Sequence, residues 1–169
     1  MSAPRVLVVG WRGKMGGEVV QAVRSAGDLE YVGGVELGED LAGALRGLRP
    51  DVAVDFTHPA SAMPNFRAMV AAGCEKVLFF PLYPHYAGAT SATANDQFFR
   101  ALMQEKRQPA ARTVAEYFDH PLYIDALARS VETVYAGLDH RPDVLVASYH
   151  GMPKRYLMEG DPYHCQCQK

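Results

Sequence analysis

The stretch VLVVGWRGKMGGEVVQAV, residues 6–23, decides the fold. Its opening residues form a continuous apolar run closed by Gly10, the pattern of a short strand buried on both faces. Beyond the glycines, Val19, Val20 and Val23 fall on one side of a helix of 3.6 residues per turn. Strand, tight turn and helix in that order begin an α/β protein, and the alternation continues. YVGGVE (31–36) reads as a second strand, LAGALRGL (41–48) as a short helix and DVAVDFT (51–57) as a third strand. Ser61 is placed to cap the next helix, which tolerates Pro64 near its start and ends at Gly73. KVLFFPLY (76–83), ARTVAEY (111–117) and DVLVASYHG (143–151) supply three more strands, with a helix at 95–108 after the first of them. Ile124, Leu127, Val131, Val134 and Leu138 recur at helical spacing before the last.

Strands and helices in strict alternation imply parallel strands joined by right-handed crossovers. The expected architecture is one domain over residues 1–169, an α/β three-layer sandwich around a single doubly wound parallel sheet of Rossmann or flavodoxin-like type. Its strand order is expected to run 2-1-3-4 and onward. Ligands of such sheets bind at the carboxyl ends of the strands. That directs attention to residues 10–17, 36–40, 56–61, 81–91, 116–121 and 149–157.

Composition narrows the function classes. With 17 basic and 19 acidic residues the net charge is −2, so no nucleic-acid partner is indicated. No apolar run approaches the length of a membrane span or a secretory signal, and no membrane partner is expected. Three cysteines, Cys74, Cys165 and Cys167, are too few for a disulfide framework, and a cytoplasmic location fits them.

Gly10, Gly13 and Gly16 stand in G-x-x-G-x-x-G spacing between a strand and a helix. Gly10 permits a tight turn, Gly13 lets backbone approach a pyrophosphate, and Gly16 lets the helix pack close to the sheet. Glu36 closes the second strand, where its carboxylate can accept hydrogen bonds from ribose hydroxyls. That arrangement favours NADH, whereas Arg12 and Lys14 could pair with the extra phosphate of NADPH. The plain alternative is a glycine turn that merely connects strand to helix.

VLVVGWRGKMGGEVVQAV, the GVELGED region and VAVDFTHPASAMPNFRAMVAAGC together resemble the cofactor domain of dihydrodipicolinate reductase, over about residues 4–74. The resemblance implies that Gly10, Lys14, Met15 and Glu36 line a dinucleotide site and that Phe56 and Thr57 lie near its nicotinamide end. Trp11 stands where that family usually has a small residue.

From about Lys76 to Lys169 the chain resembles ferrochelatase, the enzyme that inserts ferrous iron into a porphyrin. VLFFPLYPHYAGATSA, VAEYFDHPLYIDALA, SYHGMPKRY and GDPYHCQC carry that resemblance, in order. It implies that His150 is the active-site histidine, coordinating metal or removing a pyrrole proton. It also implies that only an internal piece of that enzyme is present, without the glutamate of its later half, and with an apolar patch left uncovered.

The two resemblances together predict a chimera, engineered rather than natural, with a reductase-like half at 1–75, a ferrochelatase-like half at 76–169 and a seam near 73–77. Asp161 is expected to cap and Pro162 to open a last helix, which the chain end at Lys169 is expected to cut. Neither parent reaction is expected to survive, since each site is incomplete. The function expected is a folded scaffold with at most vestigial binding of NADH or NADPH, as a monomer or a weakly self-associating protein. The alternatives are a working dinucleotide module or oxidoreductase, and a porphyrin- or metal-binding remnant of ferrochelatase. His164, Cys165 and Cys167 read as terminal leftovers lacking the fourth ligand of a closed zinc site. His85, His120 and His140 read as loop residues, and Phe98, Phe99 and Tyr135 as core.

Overall fold

The computed structural model describes residues 2–169, which form two compact units, one ending at Val77 and the other running Leu78–Lys169. In the first unit, β1 (Arg5–Val9) pairs in parallel with both β2 (Glu30–Val35) and β3 (Val52–Asp55), giving the order β2-β1-β3. A bulge between Val6 and Leu7 sets Val6 opposite Tyr31 but Leu7 opposite Gly33. The central strand is buried on both faces, as its unbroken apolar run requires. Val6 and Val8 pack with Val20 and Val23 of α1 (Lys14–Ser25) on one side. Leu7 and Val9 pack with Val35 and Leu41 on the other, under α2 (Leu41–Leu48).

Local chemistry explains the boundaries. The Asp40 carboxylate accepts from the Gly43 N–H at 2.8 Å and starts α2. The third helix, α3 (Pro59–Ala71), begins earlier than the expected Ser61 cap. His58 caps it instead, its Nδ1 accepting from the Ala60 N–H at 3.2 Å, with Pro59 in the first turn where a missing N–H costs nothing. Pro64 therefore lies inside the helix. Gly73 ends it with φ of 103°, a conformation open to glycine.

β4 (Lys76–Phe79), which leads into the second unit, and β5 (Ala110–Thr113) form a separate two-stranded sheet. A π-helical turn at Gly88–Ala92 leads into α4 (Thr93–Gln104). Then follow α5 (Pro121–Ala136), α6 (Lys154–Met158) and α7 (Tyr163–Cys167). Phe79 stacks on Phe98 with ring centres 4.6 Å apart. Among the described residues no helix is long and apolar enough to cross a membrane.

The α/β class read from the alternation is the class observed, with these corrections to its detail. The strands are divided between two sheets rather than joined in one, because β4 finds its partner in β5. Pro81, lacking an N–H, ends the β4 run early. Residues 143–151 form no strand: nothing among the described residues pairs with them, and Val144 and Val146 are 74% and 81% exposed. Ile124, Leu127, Val131 and Val134 lie on α5 as the periodicity requires, but all four are exposed. Phe99 and Tyr135, expected in the core, are exposed as well.

Two stability measurements follow. A Cβ on Gly16 would fall on the Gly10 carbonyl oxygen, whereas one on Gly27 meets nothing within 4 Å. Alanine gains about 1 kcal/mol over glycine in a helix, but a backbone clash costs about 1–3 kcal/mol. Gly16→Ala is therefore expected to lower the urea midpoint and Gly27→Ala to leave it nearly unchanged; equal midpoints would remove the close approach. In the second unit, burial raises the Tyr117 phenol above its ordinary pKa of 10.0, with Tyr123 adding to the effect. The unfolded chain then loses that proton first, so stability is full below about pH 10 and falls as pH rises through the folded pKa. Tyr117→Phe is expected to flatten that alkaline decline in thermal melts.

Candidate functional site

The residues of the glycine loop do come together at the carboxyl ends of β1, β2 and β3. Gly10 adopts φ of 79°, and a Cβ there would stand 2.7 Å from the Phe56 carbonyl oxygen. Gly13 caps α1 and its N–H donates to Gly10 O at 3.1 Å, while Gly16 is buried against the Gly10 backbone. Lys14 is the first helical residue, and Met15 beside it is exposed. The Arg12 N–H donates to Glu36 Oε1 at 2.6 Å, and the Arg12 guanidinium lies over the Trp11 ring. Phe56 N–H donates to Val9 O, and Thr57 N–H to Asp55 Oδ1 at 2.8 Å, with Asn65 bonded to both Asp55 and Thr57. Each glycine thus serves a close contact within the protein, and Trp11 packs on Gly34.

In the second unit, loops and two short helices build a different place. An open cleft of about 730 Å³ is lined by His85, by Tyr149 to Lys154, by Tyr156 and Leu157, and by Asp161, Tyr163, His164 and Cys167. One wall is the segment SYHGMP, which has no regular structure and runs into α6. Gly160, with φ of 95°, turns the chain after α6, and Asp161 N–H returns to Tyr156 O at 2.8 Å. His85 reaches the cleft from the loop 84–91, which is held to the last helix by two side chains. Asp161 accepts from Gly88 N–H at 2.7 Å and from Tyr163 N–H at 2.9 Å. Gln166, one of two buried polar residues among those described, accepts from Tyr86 N–H at 2.9 Å and donates to Glu116 at 3.2 Å.

Electrostatics inside the cleft are set by burial and close neighbours. Burial chiefly raises the Tyr163 phenol above its ordinary range, followed by Cys167, through charge and a hydrogen bond, and by Tyr149. The His85 ring lies against Phe118, with centres 5.0 Å apart and planes 18° from parallel, and against Tyr163 at 5.4 Å. His150, the histidine singled out from the sequence, lines the same cleft. His85, His164 and Cys167 were read as loop or terminal residues, and the structure places all three there too. The only trace of this in the sequence is that both segments carry histidine among aromatics, YPHY and YHCQC. His120 and His140 keep local roles: His120 caps α5, and His140 pairs with Asp139.

The second unit thus carries an open, mainly apolar cleft edged by His85, His150 and His164. The comparisons specify the family. The ferrochelatase family model matches residues 34–169. The chain is 82% identical to the ferrochelatase of Rhodobacter capsulatus over 101 residues, 60% of this chain and 29% of that protein. It is 53% identical to the ferrochelatase of Allorhizobium ampelinum over 123 residues, 71% of this chain and 36% of that protein. For the ferrochelatase of Rhizobium meliloti the figures are 51% over 126 residues, 73% of this chain and 37% of that protein. The chain belongs to the ferrochelatase family, and it spans about a third of the length of these relatives.

This corrects the expectation of an engineered chimera. The family match begins at residue 34 and runs without interruption through the supposed seam at 73–77, and no reductase segment is found. The glycine loop misled because a strand, a glycine turn and a helix are needed wherever β1 feeds α1. Gly10 and Gly16 are explained by their own close approach, whatever binds above them.

Removal of the Gln166 amide would strand the Tyr86 N–H. Gln166→Ala is expected to cost about 1–3 kcal/mol in urea unfolding. An unchanged midpoint would show that the 84–91 loop does not depend on the last helix.

Proposed function

We propose that this chain forms the histidine-bearing wall of a metal-inserting cleft, the part of a ferrochelatase that receives porphyrin and divalent metal. The observation that carries it is the joint presence of His150, in SYHGMP, and a cleft of about 730 Å³ whose other walls are mainly aromatic and aliphatic. That volume lies within the range of small-molecule sites, and Tyr149, Met152, Tyr156, Leu157 and Tyr163 offer faces for a flat macrocycle.

The chemistry asked of the site is modest and balanced. Two pyrrole N–H bonds break, four bonds from nitrogen to metal form, two protons leave and no electron is transferred. His150 suits either half of this exchange, because a neutral imidazole binds first-row metal ions and also accepts protons near neutral pH. Apolar side chains offer the macrocycle faces to pack on, leaving His150 as a polar group beside its nitrogens.

The reading is tested by titrating protoporphyrin into the full chain and following its Soret band. A saturable red shift is expected, with affinity falling about tenfold in Leu157→Asp, which places a charge in the apolar wall. His150→Ala is expected to retain porphyrin binding and to abolish any metal insertion measured with zinc. No saturable shift in a cooperatively folded protein would refute the reading.

A further inference from the structure

The helix α5 is fastened to its unit at one end and left open along its length. Tyr123 meets Tyr117 edge to face, with ring centres 5.5 Å apart, and His120 caps the first turn. Apart from Tyr123, all of its 16 residues are exposed. A helix of this length standing alone in water is marginal, and helices in proteins draw most of their stability from an apolar face that is packed. α5 carries such a face. Ile124, Leu127, Val131 and Val134 recur at alternating spacings of three and four, as the a and d positions of a heptad do. All four are exposed, Val134 by 61%.

The residues around that stripe decide what can cover it. Ala128 and Ser130 flank it, both small and uncharged, so another helix can approach closely. Asp125, Arg129 and Glu132 fall on the far side of the helix, and Asp125 and Arg129 neutralise each other at 2.8 Å. The stripe also complements itself. Against an identical helix running the other way, Ile124 faces Val134 and Leu127 faces Val131, so the four residues of each copy fill four layers and no charge meets a like charge. A patch that pairs with its own image is closed by a two-fold axis. We propose that α5 is a self-association surface, on which a second copy of this chain lays its own α5 in antiparallel orientation. The inference is independent of what the cleft binds. Its strength is bounded by size: a helix of 16 residues is about 24 Å long and about 10 Å wide, well short of the roughly 800 Å² that each partner gives to a standard stable interface. The dimer is therefore weak, with Kd on the order of 10 μM.

Sedimentation equilibrium of the full chain, from about 1 to about 200 μM, tests the proposal. Monomer and dimer are expected, with no larger species. Val131→Glu sets a charge in the middle of the stripe and is expected to raise Kd at least about tenfold. Val134→Glu serves as a second variant should the first melt early. Leu122→Glu replaces an exposed leucine on the far side of the helix and is expected to leave Kd unchanged. Orientation is read by cross-linking in a background of Cys74→Ser, Cys165→Ser and Cys167→Ser, which removes the three cysteines of the chain. On mild oxidation, Leu127→Cys and Val131→Cys chains are expected to join each other when mixed, and far less to join themselves when alone. A monomer at every concentration, assembly beyond the dimer, a Kd unmoved by Val131→Glu, an equal loss in Leu122→Glu, or ready self-joining of Leu127→Cys alone would each overturn the proposal. The Soret titration reads the cleft separately, so a monomer that still binds porphyrin would refute this inference alone.

Discussion

The cleft depends on one side chain at the end of the molecule reaching back to a loop near the middle of the chain. Gln166 is buried, and through its amide it holds both Tyr86 N–H and the Glu116 carboxylate. Asp161 repeats the device at Gly88 while ordering the start of α7. Apolar burial does little for the loop 84–91, since Ala87 and Leu102 are the buried hydrophobic residues of this unit. The site is thus stabilised more by charge-assisted and amide hydrogen bonds than by a large apolar core. Such bonds are directional, so they fix the loop in one orientation.

The first unit follows the opposite logic. Its central strand is buried on both faces by valines and leucines, and its turns are settled by glycines whose neighbours leave no room for a Cβ. Burial of this kind is non-directional, so it specifies a sheet and its helices without specifying a ligand. That difference explains why the glycine loop looked like a function and proved to be compatible with plain architecture.

Legibility in the sequence tracked the same division. The run Val6 to Val9 and the spacing of Val19, Val20 and Val23 fixed the first sheet and its helix, because apolar periodicity reports burial directly. Periodicity also located α5 correctly, but it could not show that Ile124, Leu127 and Val131 would be exposed, since burial depends on what lies opposite. The apolar run at 144–146 reads as a strand by itself, yet a strand exists only with a partner for its backbone. His150 was found from its motif, whereas His85, His164 and Cys167 were missed. Their place in the cleft comes from tertiary bonds between positions as distant as Tyr86 and Gln166, and no local pattern encodes those. The family itself was legible in SYHGMP and GDPYHCQC, and the error lay in assigning the preceding residues to a second parent.

The most direct measurement of this account is a set of proton–proton contacts in solution between the aromatic ring of His85 and those of Phe118 and Tyr163, together with one between the Tyr86 amide and the Gln166 side chain. All three are predicted, because the ring centres lie 5.0 and 5.4 Å apart and the hydrogen bond spans 2.9 Å. Their absence in a folded protein would contradict the account, because the last helix would then not hold the loop 84–91 that brings His85 to the cleft.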